Sequence, residues 1–422
     1  MYYPLYKYLT LLLSPLIDLY LLRRRRRGKE DAKRYPERKG RASFPRPHGP
    51  LVWIHAASVG ESLSVLPLID KMLLHYPAHQ VLLTTVTVTA AKLVESRLPL
   101  RAFHQYLPVD DLLSVRRFLK HWQPNLACWV ESELWPNLMM ETHRIGCPMI
   151  LLNARISDKS FQQWQRYRAF AQTLLPCFAV VLAQSERVRQ RFMKLGAKDV
   201  RFLGNLKVDA PALPFQPPQF DLLKRAINAR PLWVAASTHP GEEAMIIAAH
   251  RIIRMQVPEL LTVIIPRHPQ EGDNIREQSE VAGLKMAQRS RKEILMPDTE
   301  FYIADTLGEL GLFFRLSDIV FMGGSFVPRG GHNPLEPARL HCALLTGPYV
   351  HNFTEMFEEL EIAGALMRLT EPEELGESVI ELLKNATKRK ELAEKAAHYV
   401  EGQAGVMERV LQVLDPYLSK RL

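Results

Sequence analysis

The stretch WIHAASVGES at 53–62 places a carboxylate directly after an apolar, strand-like run. Gly60 lets the backbone approach a ligand closely, and Glu61 would then be placed to act as a general base toward a hydroxyl. An acid in the first turn of a helix also complements the helix dipole without any catalytic role. Both interpretations of Glu61 stay open on this motif alone.

Charged residues also follow two later strand-like runs. WVESELWPN carries Glu131 and Glu133 beside a tryptophan, a combination that suits a sugar site and would equally cap a following helix. GNLKVD carries Lys207, which can contact a phosphate or carboxylate as a point charge. A solvated lysine is the ordinary alternative for that position.

The strongest local feature of the second half is FMGGSFVPRGGHNPLEPA at 321–338. A glycine-rich turn before a helix N-terminus can hold a phosphate, which predicts a cradle formed by Gly323, Gly324 and Ser325. The following helix carries Glu336 in its first turn, where a carboxylate can accept hydrogen bonds from ribose. His332 in the same stretch can be a ligand or a loop histidine, and the loop histidine is favoured.

The motifs also exclude several chemistries. Neither GxGxxG nor GxxxxGK[ST] is present, and there is no HExxH, GxSxG, catalytic Cys–His pair or clustered metal-ligand spacing. The four cysteines are widely spaced, which is typical of buried free thiols in a reducing compartment. Arg267, between two prolines in IPRHP, remains a natural bidentate partner for phosphate. We therefore expect a nucleotide site with no metal and no cofactor.

These residues sit on a pattern of apolar strands alternating with longer amphipathic stretches, typical of parallel α/β sheets. Strands are predicted at 51–55, 81–86, 126–131, 149–152, 180–183 and 200–203, and again at 232–238, 260–266, 302–304, 319–322 and 343–345. Long helical patterns follow over about 371–418. The sequence therefore predicts two Rossmann-like domains, with ligands at the carboxyl ends of the strands and hence in a cleft between the domains.

A proline-rich stretch, DAPALPFQPPQF, interrupts this alternation and predicts a linker. The predicted organisation is a membrane anchor with its basic flank at 1–30, an acceptor-binding domain at 31–208, the linker at 209–230, a nucleotide-binding domain at 231–400 and a helical tail at 401–422.

The net charge of +10 belongs almost entirely to the N-terminus, because residues 1–50 hold 13 Lys and Arg against four Asp and Glu. The body is nearly neutral, which argues against nucleic acid as a partner. Leu5–Leu22 is apolar apart from Lys7 and Asp18, and five arginines follow at 23–27. Positive charge after the apolar segment predicts a membrane-anchor helix, spanning or interfacial, with the body on the cytoplasmic side.

Taken in order, the motifs resemble those of the Kdo transferases, which move 3-deoxy-D-manno-octulosonic acid (Kdo) from CMP-Kdo to a lipid A precursor. The shared stretches are HAASVGE, ESELWPN, NARIS, GNLKVD, STHPGEE, PRHP, DTLGEL and GGSFVPRGGHNPLEPA, and they cover nearly the whole chain. The resemblance implies a GT-B glycosyltransferase at the cytoplasmic face of the inner membrane. It would use lipid IVA as acceptor and invert the anomeric centre without a metal.

The resemblance also implies roles for particular residues. Glu61 would be the catalytic base, with Glu131 and Lys207 stabilising the transition state. The CMP site would be formed by Pro266, Arg267, Gly308, Glu309, Leu310, Asn333, Pro334, Leu335 and Glu336, to which the cradle argument adds Gly323, Gly324 and Ser325.

Two alternatives remain at this point. The first is a membrane-associated GT-B transferase with a UDP-sugar donor. The second is a membrane-tethered protein that binds anionic lipid or nucleic acid through its arginine run.

Overall fold

The computed structural model describes residues 2–419. The strands are β1 (Leu51–His55), β2 (Gln80–Thr85), β3 (Ala102–Tyr106), β4 (Leu126–Val130), β5 (Met149–Ala154), β6 (Phe178–Ala183), β7 (Val200–Phe202), β8 (Leu232–Thr238), β9 (Leu261–Pro266), β10 (Met286–Gln288), β11 (Phe301–Ile303), β12 (Ile319–Met322), β13 (Ala343–Thr346) and β14 (Leu366–Arg368).

The helices are α1 (Tyr2–Leu12), α2 (Ser14–Arg26), α3 (Val59–His75), α4 (Val88–Glu95), α5 (Leu112–Trp122), α6 (Pro136–Arg144), α7 (Asp158–Arg166), α8 (Arg168–Leu174), α9 (Glu186–Leu195), α10 (Pro217–Ile227), α11 (Glu243–Gln256), α12 (Gly272–Val281), α13 (Leu310–Leu316), α14 (Leu335–Ala338), α15 (Thr354–Ile362), α16 (Glu374–Lys384), α17 (Ala386–Gly402) and α18 (Val406–Leu418).

The first structural unit runs through Ala210 and includes the chain from Gly405 onward. Its seven strands are paired in parallel in the order β3-β2-β1-β4-β5-β6-β7. Strands β1 and β4 are buried along their whole length, because helices cover both faces of a doubly wound sheet. This order puts the carboxyl ends of β1 and β4 side by side at the point where the winding direction changes, which is where such folds bind ligands.

The second unit spans Pro211–Ala404 and repeats the same plan. Its parallel sheet has the order β10-β11-β9-β8-β12-β13-β14, so β8 and β12 are the central neighbours. The core of this unit is built on the aromatic and β-branched residues of these strands, including Trp233 and Phe321. The ends of β8, β9 and β12 therefore carry the loops that can form a site.

Three strands were not predicted from the sequence. β3 reads AFHQY, where histidine and glutamine interrupt the apolar pattern although both are buried. β10 and β14 are three-residue edge strands, too short to show a period.

The N-terminal segment forms two helices rather than the one predicted. Pro15 lies at the start of α2, where it lacks the N–H that a continuous helix would need, and the two axes differ by 60°. Among residues 2–419, no single helix meets the length and hydropathy expected of a membrane span, whereas α1 and α2 meet them only as a bent pair. Tyr6 donates a hydrogen bond to Asp110 (2.9 Å), which holds α1 against the first unit.

The range predicted as a linker contains a helix. α10 begins at Pro217 and Pro218, because the first turn of a helix accommodates residues without a free N–H. At the other end of the second unit, the chain returns to the first: Asp209 accepts hydrogen bonds from the N–H groups of Gly405 and Met407 at the start of α18. The last helix is therefore part of the first unit.

Candidate functional site

Glu61 lies in the first turn of α3, where it can act both as a helix-capping acid and as a general base. Its carboxylate accepts hydrogen bonds from the Ala57 N–H and the Ser58 hydroxyl, each at 2.8 Å, while Ser58 caps the helix through the Glu61 N–H. The side chain is half-buried, and burial is the main reason that its pKa is raised. The negative charges of Glu131 and Glu133 raise it further. The capping contacts thus exist, and they hold a carboxylate of increased basicity.

Glu131 comes directly after β4 and forms an ion pair with Lys207, with Oε1 and Nζ 2.6 Å apart. Its backbone is in the left-handed region, with φ at 62°, a conformation that is unfavourable for a residue with a side chain. Strain of this kind persists only where the surrounding structure enforces it, often at functional sites. The structure therefore brings together the two residues predicted to stabilise the transition state.

Two asparagines fix the short 3-10 turn that carries Lys207. The Asn153 side-chain oxygen accepts a hydrogen bond from the Leu206 N–H, and that of Asn205 accepts one from the Lys207 N–H, both at 3.0 Å. Asn153 also has a left-handed backbone, with φ at 51° at the end of β5. Neither asparagine was predicted as a site residue, although Asn153 opens the NARIS motif.

Glu133 does not cap α6, which was the alternative open from sequence. It accepts a hydrogen bond from the Trp135 indole N–H at 2.7 Å, and burial raises its pKa. Helix α6 starts at Pro136 without a side-chain cap. Together with Glu61 and Glu131, Glu133 forms a group that we call the carboxylate cluster.

In the second unit, the predicted glycine-rich cradle is already filled by a carboxylate of the chain itself. Glu242, fully buried, accepts hydrogen bonds from the N–H groups of Gly324, Ser325 and Phe326 at 2.7–3.0 Å, and from that of His239. The prediction that this glycine-rich turn holds a phosphate was therefore wrong, because its N–H groups bind Glu242 instead. Nothing in the sequence distinguishes Glu242 from its neighbour Glu243.

Steric crowding, rather than phosphate binding, explains the glycine at position 323. A Cβ there would lie 2.8 Å from the Ser237 carbonyl oxygen, because the turn crosses directly over the end of β8. Gly324, with φ at 67°, lies against the rings of His239 and His332. Both glycines thus allow the turn after β12 to pack closely against β8 and the two histidines.

The remaining residues predicted for CMP lie at the end of β9, or in the loops and helix starts that follow β11 and β12. Pro266 ends β9, and the N–H of the exposed Arg267 donates to the Thr238 carbonyl oxygen (2.9 Å). Glu309, just before Leu310 opens α13, forms a bidentate pair with Arg289 at 2.5 Å, which lowers the pKa of Glu309. The Glu309 carboxylate is therefore already paired with Arg289.

Asn333 and Glu336 are placed as predicted, at the start of a short helix. The Asn333 side-chain oxygen accepts a hydrogen bond from the Leu335 N–H (3.2 Å), and its amide donates to Glu336 (3.3 Å). Pro334 precedes the first residue of α14. The Glu336 carboxylate is half-buried and is thus accessible to a ligand.

Three histidines meet above the ends of β8, β9 and β12, and we call them the histidine cluster: His239, His268 and His332. The Nε2 atoms of His239 and His332 are 3.1 Å apart, and their ring planes are parallel within 5°. His268 lies edge-on to His239, with ring centroids 5.9 Å apart. From sequence, His332 is interpreted as a loop histidine and His268 is rigidly presented beside Arg267 in IPRHP, and neither interpretation includes this contact.

Within residues 2–419, no group of three or more His, Cys, Asp or Glu side chains is arranged to hold a metal ion. The histidine cluster is not among such groups.

Comparison with known proteins identifies the family. Residues 33–210 match the sequence profile described as 3-deoxy-D-manno-octulosonic-acid transferase (kdotransferase). A 3-deoxy-D-manno-octulosonic acid transferase of Rickettsia bellii is 34% identical over 415 residues, covering 98% of both chains. The chain belongs to the Kdo transferase family. The Kdo transferase of Haemophilus influenzae is also 34% identical, over 91% of this chain and 90% of that one.

Solved structures agree with this at the level of the fold. The UDP-GlcNAc 2-epimerase of Neisseria meningitidis superposes with a TM-score of 0.62 at 13% identity, covering 86% of this chain and 99% of that one. A glycosyltransferase of Rickettsia africae gives 0.61 at 10% identity, covering 89% and 100%. The predicted GT-B class of fold, with two Rossmann-like domains, is confirmed, and the Kdo transferase family makes this protein a glycosyltransferase.

Proposed function

We propose that this glycosyltransferase moves Kdo from CMP-Kdo to lipid IVA, a lipid A precursor, with inversion at the anomeric carbon. The Kdo transferase relatives support the transferred sugar. The observation that carries the mechanism is the environment of Glu61, whose pKa is raised by burial and by Glu131. A carboxylate of raised pKa is a better proton acceptor near neutral pH.

In the proposed step, Glu61 removes the proton of an acceptor hydroxyl while that oxygen attacks the anomeric carbon. The bond from the anomeric carbon to the phosphate oxygen of CMP breaks, and the electron pair leaves with CMP. Glu131 is held by Lys207 at 2.6 Å and Glu133 by the Trp135 indole N–H at 2.7 Å, so the proposed mechanism uses neither of them as a nucleophile. A single displacement by one base inverts the anomeric centre.

The Glu131–Lys207 pair would act through its fixed charges. Lys207 is half-buried, and its position is set by Asn205 and by the turn that Asn153 holds. A charge that is already oriented stabilises a developing opposite charge without reorganisation during the reaction.

The decisive experiment is an assay of the full chain with CMP-Kdo and lipid IVA, with the products weighed by mass spectrometry. Addition of Kdo in a CMP-Kdo-dependent manner is expected. Isothermal titration with CMP and with UDP tests the donor separately. Binding of UDP and not CMP would favour a UDP-sugar transferase instead.

We also propose that α1 and α2 bind the cytoplasmic face of the inner membrane. Large apolar side chains are exposed along both helices: Tyr2, Leu5, Tyr8, Leu9, Leu11, Leu12, Leu16, Leu19, Tyr20 and Leu22. The arginines at 23–27 end α2, and each can contribute about 1 kcal/mol near an anionic surface. An apolar face beside a basic segment is typical of helices that lie in the membrane interface.

Vesicle sedimentation tests this placement. The double variant Leu12→Glu/Leu16→Glu should lose binding to vesicles that contain anionic phospholipid, because these side chains are 77% and 61% exposed. Leu100→Glu is the matched control, since Leu100 is 92% exposed but lies outside the two helices. Equal binding by all three proteins would contradict the proposal.

A further inference from the structure

The His239–His332 contact constrains where protons can reside. At 3.1 Å, one Nε2–H donates to the lone pair of the other Nε2, so the accepting ring carries its hydrogen on Nδ1. One added proton can occupy the Nδ1 of the donating ring without disturbing this bond. A second added proton would put a hydrogen on each Nε2, so that two N–H donors would face each other without an acceptor. The pair therefore accommodates one proton and then presents an N–H on both Nδ1 atoms.

The two Nδ1 atoms are available to a ligand. Within residues 2–419, the Nδ1 atoms of His239 and His332 form no hydrogen bond, and neither is among the buried polar atoms that lack a partner, so both are open to solvent. Both side chains are only partly buried. Gly324 lies beside the pair, where a Cβ would come within 3.0 Å of His239 and 3.3 Å of His332.

The charges around the pair are mainly positive. Arg267 faces it from the loop after β9, beside His268, and Arg329 faces it from the loop after β12. On the acidic side, Glu271 from the turn before α12 acts on His239, and the Glu242 carboxylate is engaged by four backbone N–H groups. An anion would relieve this excess of positive charge.

The pKa values agree with this geometry. Burial, followed by Arg267 and the neighbouring histidines, lowers the pKa of His332 to about 4. Burial and Arg329 also lower the pKa of His239. The pair is thus neutral at physiological pH in the absence of a ligand, and an anion bound beside it would raise its proton affinity.

We propose that the His239–His332 pair is an oxyanion site that binds the phosphate of the nucleotide and takes up one proton on binding. This inference rests on the proposed function, because CMP is the nucleotide that function releases. The proton comes from solvent and resides on an imidazole Nδ1, from which it hydrogen-bonds to a phosphate oxygen. Arg267 is positioned to add a charge-assisted hydrogen bond to the same group.

Titration calorimetry of the full chain with CMP tests the proposal. At pH 7.5 the CMP phosphate is a dianion, since its second pKa is about 6. Measurements in buffers of different ionisation enthalpy give the number of protons exchanged. Net uptake of up to one proton is expected, because the bound anion raises the pKa of the pair.

His332→Gln and His239→Gln should each abolish proton uptake. Each should also weaken CMP binding by at least about tenfold, the effect of losing a hydrogen bond to a charged group. Cytidine, which lacks the phosphate, should bind both variants as it binds the unaltered protein, and this also shows that they are folded. His398→Gln is the control, because His398 is an exposed histidine of the same unit outside the cluster.

The outcomes separate this proposal from the proposed function. CMP binding without proton uptake, or with uptake that persists in both variants, would overturn the histidine site alone. No CMP binding by the unaltered protein would overturn the CMP-dependent function and the site together. Proton uptake with free Kdo but not with CMP, lost in His332→Gln, would show a site for the sugar carboxylate and overturn the phosphate assignment.

Discussion

The carboxylate cluster of the first unit and the histidine cluster of the second unit occupy equivalent places in two similar sheets. Each lies at the carboxyl ends of central parallel strands, the first after β1 and β4, the second after β8, β9 and β12. Their electrostatic surroundings differ. The carboxylate cluster is acidic and has Lys207 as its paired cation, whereas the neutral histidine pair of the second cluster is faced by Arg267 and Arg329.

Burial has opposite chemical consequences in the two clusters. Desolvation disfavours the charged form of any group. It therefore raises the pKa of Glu61, which makes this carboxylate a better base, and lowers that of His332, which keeps the imidazole neutral until an anion binds. On our two proposals, the same fold supplies a proton acceptor in one unit and an anion-dependent proton site in the other.

The buried carboxylates in the first cluster and beside the second one have different hydrogen-bond partners. Glu131 is balanced by a side-chain charge, Lys207, whereas Glu242 is balanced by four backbone N–H groups. An ion pair holds two side-chain charges in fixed positions, where a substrate can interact with them. A carboxylate held by backbone donors fixes the loop around it, so we assign Glu242 to positioning the glycine turn beside the histidines.

The largest expected effect comes from Glu61→Gln. Removing the proposed general base should lower kcat by at least about 10²-fold, while CMP affinity stays unchanged because Glu61 lies in the first unit. Steady-state kinetics with CMP-Kdo and lipid IVA measure the loss, and titration with CMP checks binding.

Asp70→Asn is the matched control for this variant, since Asp70 is an exposed acid on the same helix. Its kcat should equal that of the unaltered protein. If Glu61→Gln retained activity, Glu61 would be reduced to its capping contacts with Ala57 and Ser58.

The second prediction concerns the Glu131–Lys207 pair. Lys207→Met leaves the buried Glu131 carboxylate without its partner, which should destabilise the first unit by on the order of 3 kcal/mol. The double variant Glu131→Gln/Lys207→Met should recover most of that stability, because no unpaired charge remains. Calorimetric unfolding of the single and double variants gives the interaction free energy between Glu131 and Lys207. Additive losses would show that the pair is not coupled.

The third prediction compares two adjacent buried glutamates. Glu242→Gln replaces a carboxylate that accepts four N–H bonds and should destabilise the second unit by on the order of 2 kcal/mol. Glu243→Gln should have a smaller effect, because Glu243 accepts from the N–H of Gly241 and has its other oxygen without a partner among residues 2–419. Thermal unfolding measures both. A larger effect at Glu243 would contradict the positioning role of Glu242.

Much of this arrangement could be predicted from sequence where the signal is local. The strands Leu51–His55, Leu232–Thr238 and Ile319–Met322 have the predicted bounds, because each is a continuous apolar run that ends at turn residues. For the same reason Glu61 falls at the end of a strand and the start of a helix, as expected.

The features that were missed depend on contacts between distant parts of the chain. His239 and His332 are 93 residues apart, and Glu242 fills a turn more than 80 residues further on. The left-handed backbone of Glu131 is another example, since no local pattern requires a non-glycine residue to adopt it. Periodicity and motif spacing report secondary structure, and such pairings are set by the tertiary fold.

The smallest expected effect is a shift in the pH dependence of catalysis. Because the pKa of Glu61 is raised, kcat should fall as the pH decreases through a midpoint above 4.5, the ordinary carboxyl value. The charge of Glu131 contributes to this rise, so Glu131→Gln should move the midpoint to lower pH. The kcat–pH profiles of the two proteins test this, and the residual activity of Glu131→Gln suffices because only the midpoint matters. A midpoint that stays fixed, or moves to higher pH, would mean that the group limiting catalysis at low pH lies outside the carboxylate cluster.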